Sequence, residues 1–389
     1  MTGRLDSSGN IPPSAASAFD VPDEVMYLNC ASLAPRLKSV TVAARAALDR
    51  MARPWSIQAP DWFRNERALS GSFAQLIGAP AHCTTLVPAV SYGIALAARN
   101  IPVEPGQNIV LIEHEYPSNY YSWRRLAVAA SATIRSVDAP HQESLTDAIV
   151  SAIDRHTAIV AIANCRWTDG RLVDLVRIGA AARRHGAALV VDASQSLGAY
   201  PLDVRDCQAD FLVSVGYKWL LGPYGVGYLY VAERWHDKGE PLEESWLHRE
   251  GSENFAALVD YTPNYRPGAQ RFGQGGSAQF YLLPIAIAAL SQIAEWTPGR
   301  INARLRVLTE SLVERAEALG LTATARSQRA GHMVGLRSER GLRPDLAATL
   351  ASQGIYVGIR GDCIRVAPHL HTTADDIDRF VDALQALTA

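Results

Sequence analysis

The chain has no CxxC pair, no basic tract, no long apolar run and no glycine-rich nucleotide fingerprint. Each absence removes a class of protein. Its five cysteines, Cys30, Cys83, Cys165, Cys207 and Cys363, are odd in number and widely spaced. That predicts free thiols in a reducing compartment, and neither a disulfide framework nor a zinc site. Lys and Arg nearly balance Asp and Glu, at a net charge of −2, and both signs are spread along the chain. No stretch is built to neutralise phosphates, so nucleic acid is not expected as a partner. No window approaches a membrane span, and the opening "MTGRLDSSGNIPPSAASAFD" is polar and small, unlike a signal peptide. A soluble, cytoplasmic protein is the expectation. Neither GxGxxG nor a P-loop follows a strand-like run, which argues against a nucleotide-binding protein.

About half of the 389 residues are hydrophobic and a fifth are charged, so a large core and about two domains are expected. Residues 1–22 read as a flexible arm. Beyond them, "NIVLIEHE" (108–115), "TAIVAIANC" (157–165), "AALVVDAS" (187–194), "DFLVSV" (210–215) and "GVGYLYV" (225–231) read as buried strands. Between the second and third lies "LVDLVRIGAAARRHG" (172–186), a helix pattern stopped by Gly186. This alternation predicts a mainly parallel sheet covered by helices on both faces. Residues 235–275 lose all periodicity and read as an irregular connection. Two strong helices follow, at 281–296 and 303–320, and the chain closes on the amphipathic "TADDIDRFVDALQAL". The expected organisation is a large α/β domain over 23–275 and a smaller α+β domain over 276–389.

In an open parallel sheet, ligands sit beyond the carboxyl ends of the strands. Asp192, Lys218, Asn164 and the turn "EHEYPSN" all fall at such ends. A lysine in the partly apolar turn "GYKWLLGPYG" loses proton affinity through desolvation and so suits a Schiff-base amine. The cofactor that pairs such an amine with a carboxylate is pyridoxal phosphate, whose ring nitrogen the carboxylate keeps protonated. A plain ion pair between Lys218 and Asp192 is the structural alternative.

"VVDASQSLGAYPLDV", "GYKWLLGPYGVGYLY" and "CIRVAPHLHTTADDID" together resemble the class V aminotransferase family of fold-type I pyridoxal-phosphate enzymes. That group takes in cysteine desulfurases, kynureninases and isopenicillin N epimerase-like proteins. The similarity runs from about Tyr27 to the C-terminus. It implies the fold-type I architecture, a large domain on a mainly parallel sheet of the seven-stranded type with a smaller α+β C-terminal domain. It also implies that Lys218 carries the cofactor and then moves the substrate α-proton. By the same resemblance Asp192 pairs with the ring nitrogen and Gln195 bonds the ring hydroxyl. Ser91, with the amides of Ser91 and Tyr92 at a helix start, cradles the phosphate, and Tyr217 contacts it. Tyr116 stacks on the ring, and Asn164 lies beside the ring hydroxyl or the substrate carboxylate. Arg365 binds the substrate α-carboxylate, near Asn29 and Cys30. Gly276 and Ser277 reach the phosphate of a partner subunit, which implies a homodimer with shared active sites.

The departures shape the expected chemistry. Desulfurases carry their nucleophilic cysteine on a loop well upstream of the carboxylate-binding arginine. Here Cys363 lies two residues before Arg365 on the same apparent strand, so cysteine desulfuration is disfavoured. An aminotransferase acting on an amino acid is the leading expectation, with a β-eliminating C–S lyase or an epimerase as alternatives. A catalytically silent cofactor-binding protein is the alternative of another class.

Overall fold

Continuous apolar runs have no polar side to show to water, so they belong in the middle of a sheet covered on both faces. The computed structural model, which describes residues 11, 13–140 and 143–388, puts them there. Chain order begins with β1 (Met26–Tyr27), β2 (Thr84–Val87), β3 (Asn108–Ile112), β4 (Thr133–Val137) and β5 (Thr157–Ala163). Then come β6 (Ala188–Asp192), β7 (Phe211–Val215) and β8 (Gly227–Val231). Seven of these form one sheet in the order β2-β8-β7-β6-β5-β3-β4. Only β8 runs against its neighbours, and every residue of β3, β5, β6 and β7 is buried.

The crossover from β5 to β6 is the helix Leu175–Arg184. Asp174 caps it by accepting from the amides of Val176 and Arg177, and Gly186 follows its end at φ +74°. Glycine takes that left-handed conformation without a Cβ penalty. The connection read as irregular at 235–275 contains only short 3-10 turns, at Trp246–His248, Phe255–Ala257 and Gly268–Phe272.

The C-terminal part adds β9 (Leu321–Thr322), β10 (Val334–Ser338), β11 (Ile355–Tyr356), β12 (Gly358–Arg360) and β13 (Cys363–Val366). An antiparallel sheet in the order β12-β13-β10-β9 results, while β11 pairs in parallel with β1. The two halves of the chain are therefore stitched together near the N-terminus. The helix Leu282–Trp296 likewise packs on the helices Lys38–Met51 and Asp61–Leu76, which precede the large sheet.

Residues 1–10 and 12 of the expected arm lie outside the described residues. The remainder of that arm differs from a flexible one. Ile11 and Phe19 are buried, and the Phe19 ring stacks on Trp296 at 6.0 Å. An isolated aromatic in a polar stretch gave no periodic signal, yet burying its ring in the core holds the segment down.

Candidate active site

Five of the six strands that run the same way, β2, β3, β5, β6 and β7, carry the site at their carboxyl ends. β6 ends on Asp192, and the turn after β7 carries Tyr217 and Lys218. Asp192 Oδ1 accepts the amide of Ser194 at 2.9 Å, the local bond that favours Asp at a turn. Ser194 Oγ then accepts the amide of Val215 at 3.3 Å, which ties the end of β6 to the end of β7. Gly198 locks the same two turns from the other side. Its φ is +101°, and a Cβ there would lie 2.1 Å from the Trp219 carbonyl oxygen.

One cavity brings together Ser91, Glu115, Tyr116, Trp167, Asp192, Gln195, Tyr217 and Lys218. Lys218 is 7% exposed, and its amine makes no hydrogen bond or ion pair among the described residues. Its Nζ lies 5.3 Å from the centre of the Tyr116 ring and 5.8 Å from that of Tyr217. Burial lowers its pKa to about 8, against the pull of Asp192. Burial likewise raises that of Asp192, although Ser194 and Lys218 pull it down. An ion pair closing off the sheet would have brought the two groups into contact. Instead both face one cavity, and neither is ion-paired among the described residues.

Gln195 donates from Nε2 to the carbonyl of Ala31 at 2.9 Å and accepts on Oε1 from Trp219 Nε1 at 3.0 Å. Those two bonds fix which end of the amide is nitrogen and leave one N–H for a ligand. At the start of the helix Val90–Asn100, Ser91 lines the cavity. The Tyr92 amide already donates to Ala89 at 3.2 Å, and the Tyr92 hydroxyl donates to the Gly273 carbonyl. The first turn of the helix is tightened in the 3-10 manner. The amides left open are thus those of Val90 and Ser91, one residue earlier than expected.

Asn164 is placed differently from its expected role. Ala163 lines the cavity, and successive residues at a strand end point to opposite faces. Asn164 accordingly faces away: its Oδ1 accepts from Ser196 Oγ at 2.7 Å, and it borders a separate cavity with Ser144, Asp174 and Tyr200. Gly276 and Ser277 also lie outside the Lys218 cavity of their own chain. Gly276 is exposed, and a Cβ on it would meet nothing within 4 Å.

Arg365, on β13 of the C-terminal sheet, is not among the residues lining the Lys218 cavity but meets its wall at Trp167. Its Nη1 donates to the Trp167 carbonyl at 2.8 Å and its Nη2 to Asn29 Oδ1 at 3.2 Å, while Nε has no partner. It is 1% exposed, and among the described residues no carboxylate pairs with it. Burial, helped by the charge of Arg360, lowers its pKa to about 10. A buried guanidinium without a counter-ion is unfavourable unless an anion arrives.

Sequence reasoning missed three residues here. Glu115 accepts the amides of Tyr116 at 2.7 Å and Ala163 at 3.2 Å, and so pins the Tyr116 turn to the end of β5. Burial raises its pKa to about 7, with Asp192 adding to the rise. Ser194 was legible as the third residue of a "DxS" turn. Trp167 gave no signal, because its role depends on meeting Tyr116, at 5.5 Å between ring centres, across the sheet ends. Far from this cavity, Cys83 lies with His82 and His236, their ligand atoms within 4.8 Å of one another, a grouping the cysteine spacing did not suggest.

The residues fit pyridoxal phosphate on their own chemistry. An unpartnered buried amine, a buried carboxylate that needs a cation, an aromatic wall and open helix amides are the donor set that the cofactor requires. A lysine whose pKa is near 8 has a testable consequence. Capture of pyridoxal phosphate by the apoprotein, fixed by borohydride, should speed up about tenfold per pH unit below 8 and level off above it. A rate still climbing at pH 10 would show an ordinary exposed lysine.

Known proteins agree with this picture. The family model described as "Aminotransferase class-V" matches residues 46–380. An uncharacterized aminotransferase of Bacillus subtilis is 28% identical over 336 residues, covering 86% of this chain and 85% of the relative. Isopenicillin N epimerase of Streptomyces clavuligerus is 29% identical, covering 82% and 83%. Kynureninase of Deinococcus radiodurans is 27% identical, covering 88% and 84%. Among solved structures, apo cysteine desulfurase from Thermococcus onnurineus superposes with a TM-score of 0.83 at 22% identity, covering 97% of this chain and 98% of that one. The cystine C-S lyase C-DES gives 0.85 at 21%, covering 93% and 98%. These two likenesses speak for the fold alone. With the family model spanning most of the chain and the donor set in place, the protein belongs to the class-V aminotransferase family and is a pyridoxal-phosphate enzyme.

Proposed function

We propose that the enzyme acts on an α-amino acid, removes its α-proton through Lys218, and completes a transamination. One observation carries this reading: a weakly basic, unpartnered amine lines the cavity, and a buried guanidinium without a counter-ion is tied to the wall of that cavity through the Trp167 carbonyl. An α-amino acid presents the matching carboxylate and Cα–H at adjacent positions. Arg365 holds the carboxylate with its planar fork, kept in place by Trp167 and Asn29. Lys218 Nζ takes the proton from Cα, and its lowered pKa leaves a useful fraction of free amine near neutral pH. Bound pyridoxal phosphate supplies an electron sink conjugated to Cα. Asp192 would hold its ring nitrogen, Gln195 its hydroxyl, Tyr116 its face, and Ser91 with Tyr217 and the first helix amides its phosphate. Tyr116 and Trp167 keep water away from the proton on Lys218.

Desulfuration is disfavoured by the hairpin between β12 and β13. Only Gly361 and Asp362 join the strands, so no loop carries a thiol over the site. The Cys363 Sγ is turned onto the carbonyls of Thr168 and Arg360, and burial raises its pKa to about 12. We further propose a homodimer in which the exposed Gly276 and its neighbour Ser277 complete the partner's phosphate site. The five free cysteines support a reducing, cytoplasmic setting.

The test is a panel of amino acids titrated into the yellow holoenzyme. Transamination leaves one equivalent of keto acid and a bleached band that a second keto acid restores. Keto acid with ammonia and a recovered band would mean elimination. Loss of optical activity without keto acid would mean epimerisation. No change with any amino acid would overturn the reading.

A further inference from the structure

A second cleft, about 770 Å³ in volume, opens on the far side of Trp167. Trp167 lines both this cleft and the Lys218 cavity, so the two are neighbours across one indole. Three arginines face the cleft: Arg166, Arg337 and Arg360. Arg166 is paired with Asp138 at 3.2 Å. Arg337 is held between Asp169 at 2.8 Å and Asp362 at 3.3 Å. Arg360 alone of the three has no carboxylate partner among the described residues. Its one polar contact is to the carbonyl of Ile359 at 2.7 Å, and its guanidinium lies 5.9 Å from the centre of the Trp167 ring. Resting on Trp167, it stands across that one indole from the Lys218 cavity.

An unpaired guanidinium resting on an aromatic face, half-buried beside a catalytic cavity, is poised for an anion. The substrate α-carboxylate already has Arg365, which is the third residue of β13 after the hairpin turn. Arg360 stands before that turn, opposite Cys363 in the β12–β13 register. The two cations are therefore separate anchors on adjacent strands. A ligand held by Arg365 and reaching past Trp167 would bring its side-chain terminus to Arg360.

We infer that Arg360 selects substrates whose side chain ends in a second oxyanion, that is, acidic α-amino acids bearing a carboxylate or sulfinate. The inference rests on the amino-acid reading above and deepens it. Uncharged side chains would leave Arg360 without a partner, and bulky apolar ones would have to bury it.

The holoenzyme is titrated with L-aspartate, L-glutamate and L-cysteine sulfinate and with L-asparagine, L-glutamine and L-alanine, reading dissociation constants from the visible band. Calorimetry with glutarate and butyrate repeats the comparison without turnover. The acids should bind about 10- to 100-fold more tightly than their amides, the range of one charge-assisted contact. R360M should reduce that ratio to about one, and R360K should keep part of it. Equal binding of acids and amides by the wild type, or a ratio unmoved in R360M, would overturn the inference and leave the amino-acid reading intact. If R360M instead dissociates a dimer at an unchanged ratio, Arg360 is an interface residue and the inference fails. A band that no amino acid shifts would sink the underlying reading itself.

Discussion

Lys218→Ala is expected to lower turnover by roughly 10³-fold or more, the contribution of a positioned general base combined with loss of the covalent anchor. Borohydride should no longer fix pyridoxal phosphate to the chain. The fold should survive, and here the variant separates a chemical lysine from a structural one. The folded-state pKa of Lys218 is lowered from 10.5 to about 8, so its charged form is disfavoured by folding, by roughly 3 kcal/mol. That penalty is fully present below pH 8. It is relieved as pH rises from about 8 to 10.5, where the unfolded chain still binds a proton that the folded one has released. The Lys218→Ala apoprotein should therefore melt at or above the wild-type temperature at pH 7, and its advantage should shrink towards pH 10.5. A variant that melts far below wild type at pH 7 would mark Lys218 as a structural group.

Arg365→Ala should raise KM for α-amino acids by about 10²-fold or more, since truncating one side of a buried, hydrogen-bonded charge contact costs roughly 2–5 kcal/mol. Simple amines, which lack the carboxylate, should lose little. That contrast matters because Arg365 also donates to Trp167 and Asn29, and a loosened wall would harm both substrate types alike. Arg365→Lys should recover only part of the loss, because a point charge replaces a bidentate fork. Equal effects on amino acids and amines would remove the carboxylate role.

Much of this was legible in the residues because it depends on local pattern. The five central and near-central strands named in the sequence are apolar runs bounded by turn residues. All five appear within a few residues of their expected limits, with β8 reversed. The two sheet edges were not legible. β2 is buried throughout but only four residues long, half of them Thr, too short to read as an apolar run, while β4, "TIRSV", buries only its last residue and so shows neither a buried run nor clean alternation. Asp192, Lys218, Gln195 and Arg365 were found because a turn chemistry or a resemblance fixes them in the chain.

What the sequence by itself determined is the strand–helix alternation, the amine and carboxylate at two successive strand ends, and the family to which those stretches belong. Tertiary structure decided which side chains share the cavity. It turned Asn164 away from its neighbour Ala163, shifted the open helix amides back to Val90 and Ser91, and brought Glu115 and Trp167 in. It also left Arg360 without a carboxylate beside two arginines that have one. These facts depend on which face of a strand end points inward and on which charges meet across hundreds of residues. Desolvation and pairing act on that three-dimensional neighbourhood, and no spacing along the chain encodes it.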